Sequence, residues 1–561
     1  MTRKGKSVYG LPMSAAITAI CLVDAPPELA RAFGEEGGDV LSLKASPAPF
    51  FDLPAALAEA GFVPDLVLQV ERLGVRSVLT GLGGIDCPLL FWAIDPHLNA
   101  HWHSAYGRLF DVVCSTQRAW MDRLAADGAA DVRWLPWFGE DRPLVPWDKR
   151  EHGLAFVGRV TSQRPARKWM VEYLLDKAAA FNPAIRDSVP KAAMLDLYDR
   201  SRIIPNESIF GEVNFRLFEG ASCGCLVIGQ DIGEQAELFE PGRETDACAH
   251  VVELDDKLSA YLKNDKLVRT MGLAAHARVQ AEHLPKHRAR RILEYAHGAA
   301  RNRATGREAA KWTALAACRL LEAGLPGADA EAALGLLAKA GQGREVAAAT
   351  LRLQAMANVP SALKENLRAL LPRPTAGSPD LNLAASMAAL RVGEFGWAKT
   401  FWYRHLEDGG GAPVPPRDPR DLYGQWARNL QRRGLLMRPG FAFDPARHLP
   451  ATAMDCLLMV LEETPEDLPT LRRLDAVLRP VPGTDQTRVG YLSILTLHER
   501  NDWRLALEIA LADLASYRLE SGLDELRLSR ELAAKIGQES AFFRALKGRD
   551  PSGGIVRRIG L

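Results

Sequence analysis

Between Ser201 and Phe239 the chain passes from an apolar run to a polar loop, a short helical segment, a second apolar run and a further helical segment. Arg202-Ile203-Ile204 stops at Pro205-Asn206, a turn signal. Cys225-Leu226-Val227-Ile228 is continuously apolar, as expected for a strand covered on both faces. Between the two runs, Asn214 stands where its side-chain oxygen can accept an orphan backbone N–H of the helix that follows. Phe215, Phe218 and Ser222 share one face of that helix, and the small residues Gly220, Ala221 and Gly224 let it lie close to a neighbouring backbone or ligand. Free N–H groups and a positive dipole end make the helix start an anion site. Arg216 sits in the first turn, where a cation opposes the dipole, a placement that suits a bound diphosphate better than it suits the helix. Glu219, an acceptor-only group one turn on, can take the paired hydroxyls of a ribose. The plainer reading is a surface αβ unit with Arg216 and Glu219 solvated, and the residues alone leave both open.

A chain of 561 residues calls for about two to four domains. Its 47% hydrophobic and 25% charged residues are the balance of an ordinary globular protein. The formal net charge of +1 argues against bulk attraction to nucleic acid or anionic membrane. Eight cysteines are scattered without a CxxC pair, so neither a zinc site nor a thioredoxin-like motif is indicated, and Cys223-Gly224-Cys225 reads as buried thiols. Those thiols point to a reducing cytoplasm. Arg3, Lys4 and Lys6 before the apolar run Ala15–Val23 mimic a signal peptide, but no small-x-small cleavage site precedes Pro26-Pro27. The run is read as a first buried strand, and no apolar stretch of about 20 residues predicts a spanning helix.

Residues 15–140 alternate apolar runs (Ile17–Val23, Val40–Leu43, Leu66–Val70, Leu89–Ile94, Val112–Cys114, Val132–Leu135) with helical patterns (Pro27–Phe33, Leu53–Ala60, Gln117–Ala126). The alternation predicts an α/β domain, a parallel sheet with helices on both faces and ligands at the carboxyl ends of the strands. After Leu89–Ile94 come Asp95, His97, His101 and His103, a cluster of titratable groups at a strand end. A histidine or carboxylate here is a candidate general base or acceptor-positioning group; H-x-H with a carboxylate permits zinc, though no fourth ligand is evident. The alternative is a polar helix start capped by Asp95. Thr80–Gly84 is glycine-rich without a dinucleotide fingerprint and reads as a mobile turn. A charged, proline-bearing linker, Glu140–Glu151, divides the halves. Leu154–Arg159 then reads as a strand ending in Gly-Arg, followed by Arg164, Arg167 and Lys168 and an amphipathic helix, Trp169–Lys177. No D-x-D triplet occurs, and Asp255-Asp256 read as a solvated helix start.

From about residue 305 helix-period patterns dominate: Trp312–Gly324, Ala330–Lys339, Arg344–Ala357 and Leu381–Leu390. Gly393–Ala398 and Asn501–Ala506 resemble the turn between the two helices of a tetratricopeptide repeat. The glycine- and proline-rich stretch Asp408–Arg420 breaks this region in two. Such arrays offer concave surfaces for protein partners, or serve only as a cap.

The run NESIFGEVNFRLFEGASCGCLVI from Asn206, the stretch Phe239-Glu240-Pro241-Gly242-Arg243-Glu244, and Ala281-Glu282-His283 with Arg288 together resemble the CgeB-like (spore maturation protein) glycosyltransferases, GT-B enzymes of the group 1 kind. The shared pattern is N-x-R-x-F-E-x-x-x-C-G, then f-x-p-G-x-E, then H-x-x-x-x-R. It covers residues 150–300 closely and 15–150 more loosely, through WAIDPHLN, FDVVCSTQ and WLPW. The resemblance implies two Rossmann-like domains facing a cleft, 1–148 on the acceptor side and 149–304 on the donor side, followed by a TPR-like helical domain over 305–561. It implies a metal-independent transferase with no cofactor, using a nucleotide-diphosphate sugar as donor and a glycan or protein as acceptor. Asn206, Asn214, Arg216, Glu219, Gly224 and Glu244 would bind the donor. Arg159 and Arg167, with Lys168 as the alternative, would hold the diphosphate. Asp95 or His97 would act on the acceptor, and His283 and Arg288 would close the cleft between the domains. Many retaining members carry two glutamates separated by seven residues; Glu219 matches the second, whereas the first falls on Gly211 with Glu212 one position away. That departure leaves the stereochemical outcome open and allows a second reading, a degenerate scaffold that binds a protein partner through its helical domain.

Overall fold

Thirteen short strands form three sheets among the described residues, and every pairing is parallel. The computed structural model describes residues 17–559 apart from 46–49, 73, 75, 130, 163, 325–329, 373–376 and 410–413. Arg3, Lys4, Lys6, Ala15 and Ala16, and part of the break at 408–420, lie outside the described residues. The strands are β1 (Ala19–Val23), β2 (Asp39–Leu43), β3 (Phe50–Asp52), β4 (Leu66–Val70), β5 (Val78–Thr80), β6 (Leu89–Ala93), β7 (Val112–Ser115) and β8 (Val132–Trp134) in the first domain. The second domain contributes β9 (His152–Val157), β10 (Pro183–Arg186), β11 (Ser201–Asn206), β12 (Leu226–Gln230) and β13 (Thr245–Cys248).

The first sheet runs β2-β1-β4-β6-β7-β8 and the second β10-β9-β11-β12-β13, with β3 and β5 paired separately. Both large sheets start in the middle and reverse direction, at β1/β4 and at β9/β11. A crevice opens at such a switch point, outside the carboxyl ends of the strands. Leu66–Val70 and Leu89–Ala93 are buried throughout, which is why they read as unbroken apolar runs.

Several local expectations give way to the observed structure. Pro205 does not stop its strand: it pairs with Ile228 inside β11. The ladder to β9 ends at Ile203, so the missing N–H of Pro205 leaves no partner stranded on that side. Asp255 is not solvated; it is buried, accepts the Tyr173 hydroxyl at 2.9 Å and meets Arg558 from the end of the chain. The expected helix Gln117–Ala126 is a 3-10 turn, Arg118–Trp120, joined to a short helix, Met121–Leu124. The expected turn at Thr80–Gly84 holds a 3-10 turn, Leu82–Gly84.

The helix Pro285–His297 leaves the second domain and returns to the first, where Ala289, Ile292 and Ala296 share a core with Ile20, Leu22, Leu29 and Phe33. After Gly306 the described elements are all helices. The earliest of them put Trp312, Leu315 and Leu320 into one core with Phe91, Trp102 and Tyr106 of the first domain. The last put Trp503, Leu507, Leu514 and Phe542 into one core with Phe156, Met170 and Leu254 of the second. Between them a separate core forms around Trp402, Leu422 and Trp426. The helical part is therefore an arch with one foot on each sheet domain.

The arch touches the loop after β11 at one tight point. Gly483 has φ +73°, and a Cβ there would lie 1.7 Å from the Ile209 carbonyl oxygen. Gly483→Ala is expected to destabilise the protein by about 1–3 kcal/mol, through overpacking against backbone at a left-handed position. A chemical-denaturation midpoint equal to that of the parent would refute this contact.

Candidate functional site

A cavity of about 260 Å³ lies where the carboxyl ends of the two large sheets face each other. The first domain supplies Asp95 and His97 after β6, Thr116 and Gln117 after β7, and Trp137. The second supplies Val157 at the end of β9, then Arg164 and Arg167, Glu212 to Arg216, and Glu219. The side-chain amide of Gln117 locks the two walls together: Nε2 donates to the Val213 carbonyl and Oε1 accepts the Val213 N–H, each at 2.9 Å. Trp137 packs on Phe215 with ring centroids 4.6 Å apart. Nothing in the sequence sets Gln117 apart from any other polar residue at a strand end.

On the first domain's wall the helix Pro96–Tyr106 carries the site. Glu71, buried just after β4, accepts the N–H groups of Ile94 (2.7 Å) and Asp95 (2.8 Å) and the Asn99 amide (2.6 Å), and stands 3.2 Å from His103. The four-residue cluster expected here is thereby divided. His103 turns inward to Glu71, His101 faces the helical part, and only Asp95 and His97 border the cleft. Among the described residues no group of three or more metal-ligating side chains is placed to hold an ion. Asp95 occupies the N-cap position without capping. Burial, with the charges of Glu71 and Glu212, pushes its carboxyl up to about 8. His97 is buried, burial holds its pKa below the ordinary value, and its Nδ1 has no partner among the described residues. At neutral pH the pair is thus a neutral imidazole beside a mostly protonated carboxyl.

On the opposite wall Arg216 donates from Nη1 to Asn206 Oδ1 at 2.9 Å and from Nη2 to the Val157 carbonyl at 3.2 Å, and lies over the Phe156 ring. Asn206 thus meets the site only through Arg216. Asn214 sits at the N-cap of the helix Phe215–Ser222 but does not cap it; its Nδ2 donates to the Glu207 carbonyl, and its Oδ1 is buried without a partner among the described residues. The helix start is left without a side-chain acceptor. Glu219 is driven up to about 7 by burial, against the pull of Arg216 and Lys191. Burial also pushes Glu212 up, but His97, the Phe210 and Ile209 N–H groups and the Ser208 hydroxyl outweigh it and bring it below the ordinary range. Glu212 spends its oxygens on that loop.

The basic pair differs from expectation. The Arg159 side chain is exposed, and its carbonyl, not its charge, meets the site by accepting from Arg167. Arg167 is buried in a two-point pair with Glu207 at 2.6 and 2.7 Å, so its charge is already neutralised. Lys168 pairs with Glu172 at the surface. Arg164 borders the cavity and has no hydrogen bond or ion pair to its guanidinium among the described residues. Burial and the neighbouring Arg167 hold its pKa below the ordinary arginine value.

Gly224 and Glu244 do not border the cleft. Gly224, at φ +67°, ends the helix, its N–H donating to Ala221, and a Cβ would strike Leu144 at 2.5 Å. Glu244 closes its own turn, accepting the Glu240 N–H at 2.8 Å and Arg278 at 3.2 Å. His283 and Arg288 stand at the domain junction: Arg288 donates to the Pro136 and Trp137 carbonyls, each at 2.7 Å, and His283 Nε2 lies 3.0 Å from the Leu238 carbonyl.

Residues 146–294 match the family model described as glycosyl transferase-like. Half of the chain is similar to solved structures. They include a glycosyltransferase of Rickettsia africae ESF-5 (12% identity, TM-score 0.35, 50% of this chain and 98% of that one). Another is HepE of Anabaena in complex with UDP and glucose (13% identity, TM-score 0.35, 49% and 98%). A third is the sucrose-phosphate synthase of Thermosynechococcus elongatus (13% identity, TM-score 0.34, 49% and 98%). No curated protein matches the chain.

Two outcomes check the charge assignments. Inorganic pyrophosphate is expected to raise the melting temperature of the parent and to lose most of that shift in Arg164→Ala, whereas Arg159→Ala keeps it. Glu219, with a folded-state pKa raised from 4.5 to about 7, contributes stability fully present below pH 4.5 and lost progressively as the pH rises from there to about 7. Glu219→Gln is therefore expected to gain up to about 3 kcal/mol on the parent above that pH and nothing at acid pH, read by denaturation across a pH series.

Proposed function

We propose that the protein is a glycosyltransferase that moves a sugar from a nucleotide-diphosphate donor to an acceptor hydroxyl in the cleft. The observation that carries this reading is the pairing of walls: an Arg164 guanidinium with no hydrogen bond or ion pair among the described residues, beside a helix start without a side-chain cap, on one, and a neutral His97 on the other. Arg164, Arg216 and the first N–H groups of Phe215–Ser222 would hold the diphosphate and stabilise it as it leaves. They supply the positive charge a divalent ion provides elsewhere, which supports metal-independent transfer. Glu219 would take the ribose hydroxyls. The acceptor oxygen would form its bond to the anomeric carbon as the bond to the diphosphate breaks, with its proton passing to His97. Protonated Asp95 would donate a hydrogen bond to the acceptor or the sugar.

The CgeB-like assignment is supported by the run from Asn206 to Ile228, and the TPR-like reading by the short turns at Gly393 and Asn501 between successive helices. Eight buried free thiols support a reducing, cytoplasmic setting. No helix among the described residues is long and apolar enough to cross a membrane.

Incubation with UDP-, GDP-, dTDP- and CMP-sugars tests the reading: one donor is expected to stabilise the protein and to be turned over. A protein that none of them stabilises and that turns over none of them favours the second reading, a degenerate scaffold that binds a protein partner through its helical domain. His97→Ala and Arg216→Ala are each expected to lower turnover by about 10²–10⁴-fold. The rate should also fall as the pH rises through about 8, where Asp95 ionises, and Asp95→Asn should abolish that limb of the profile.

A further inference from the structure

A second cavity, of about 380 Å³, lies on the far side of His97. His97 and Leu98 border both cavities, so the two meet at the start of the helix Pro96–Tyr106. One wall belongs to the first domain and the other to the helical arch. The volume is that of a small-molecule site, not of an extended groove.

Its chemistry is uneven. Leu383, Met387 and Leu435 give it an apolar floor, and Trp120 a half-exposed aromatic face. Arginines outnumber carboxylates in the lining, and the carboxylates are engaged. Asp127 accepts from Arg319 at 3.1 Å, Glu322 from Arg352 at 2.7 Å, and Asp380 from Arg433 at 2.8 Å. That last pair is solvent-exposed and therefore weak. Arg123 has no carboxylate partner among the described residues; its Nη2 donates only to the Gly434 carbonyl, at 2.6 Å. Burial and the adjacent Arg433 charge hold its pKa below the ordinary arginine value. Two guanidinium groups from opposite walls therefore lie close, and one has no counter-ion.

We propose that this cavity is the acceptor site and that it takes a saccharide bearing a carboxylate or phosphate, with the anion between Arg123 and Arg433, a sugar face on Trp120 and the reacting hydroxyl at His97. The inference rests on the glycosyl-transfer reading and adds the chemical class of the acceptor. Pyranose C–H faces stack on an indole, and a guanidinium binds either anion through paired N–H groups. Half of the acceptor pocket is then built from the helical arch, which makes the arch part of the binding machinery.

Ligand-observed NMR on the full chain tests this, with glucuronate as the carboxylate probe, glucose 6-phosphate as the phosphate probe and glucose as the neutral control. At least one anionic sugar is expected to bind about tenfold tighter than glucose. Arg123→Ala, and on the opposite wall Arg433→Ala, should each remove that advantage while the melting temperature stays within about 2 °C of the parent. Equal binding of all three sugars, or an advantage unchanged in both variants, overturns the proposal. An acidic peptide that displaces the sugars from the parent protein overturns the saccharide assignment. Nucleoside diphosphate stabilisation, read on the same samples, separates the two layers. A nucleotide response without an anionic-sugar preference rejects this site and leaves sugar transfer standing. Anionic-sugar binding without any nucleotide response rejects the acceptor role.

Discussion

The buried carboxylate of Glu71 sets the position of the first domain's wall of the cleft. It takes two consecutive backbone N–H groups at the end of β6, the Asn99 amide one helical turn later, and a close contact from His103. Burying a carboxylate is costly, and here several donors offset the cost, which makes the arrangement all-or-none. Because those donors span the strand end and the first two turns of the helix Pro96–Tyr106, the carboxylate dictates both where the helix starts and how it is rotated. His97, between the anchored positions, is thereby aimed at the junction of the two cavities.

On the second domain's wall the arginines divide by what already neutralises them. Arg167 is committed to Glu207, and Arg216 is pinned by Asn206, a backbone carbonyl and an aromatic face. These give the loop after β11 its shape. Arg164 makes no hydrogen bond or ion pair among the described residues, in the same cavity as a helix start without a side-chain acceptor. A site that keeps unpaired positive charge partly out of water holds electrostatic energy that an anion can recover.

Strands such as β1 and β6 were legible as continuous apolar runs of strand length, and their alternation with helices pointed to parallel sheets with a ligand at their carboxyl ends; β3, β5, β10 and β13 are too short or too polar to stand out. Asp95, His97, Arg216 and Glu219 were found because each follows or opens an element at such an end. What was not legible depended on distant partners. A polar helix start after Asp95 was legible as an alternative, but Asp95 does not cap the helix Pro96–Tyr106; what holds its start is the Glu71 carboxylate some two dozen residues upstream. Arg159 and Arg164 are alike as residue types; only the position of Glu207, which claims Arg167, and the turn of the chain expose one and direct the other to the cleft. Gly224 is small for the sake of Leu144, from the linker, and no local pattern shows that. Gln117 matters through Val213, on the other domain.

The arch has a foot in each sheet domain and a middle that belongs to neither. Two domains joined only by a linker are free to hinge; two domains also spanned by a second, independently packed structure form a closed loop, in which no joint moves alone. Any widening of the cleft must be matched by a change in the span of the arch. The middle core around Trp402 and Trp426 shares no side chains with either foot, yet its Leu383, Met387 and Leu435 line the cavity beside His97, so any change in the span of the arch would reshape that cavity wall as well.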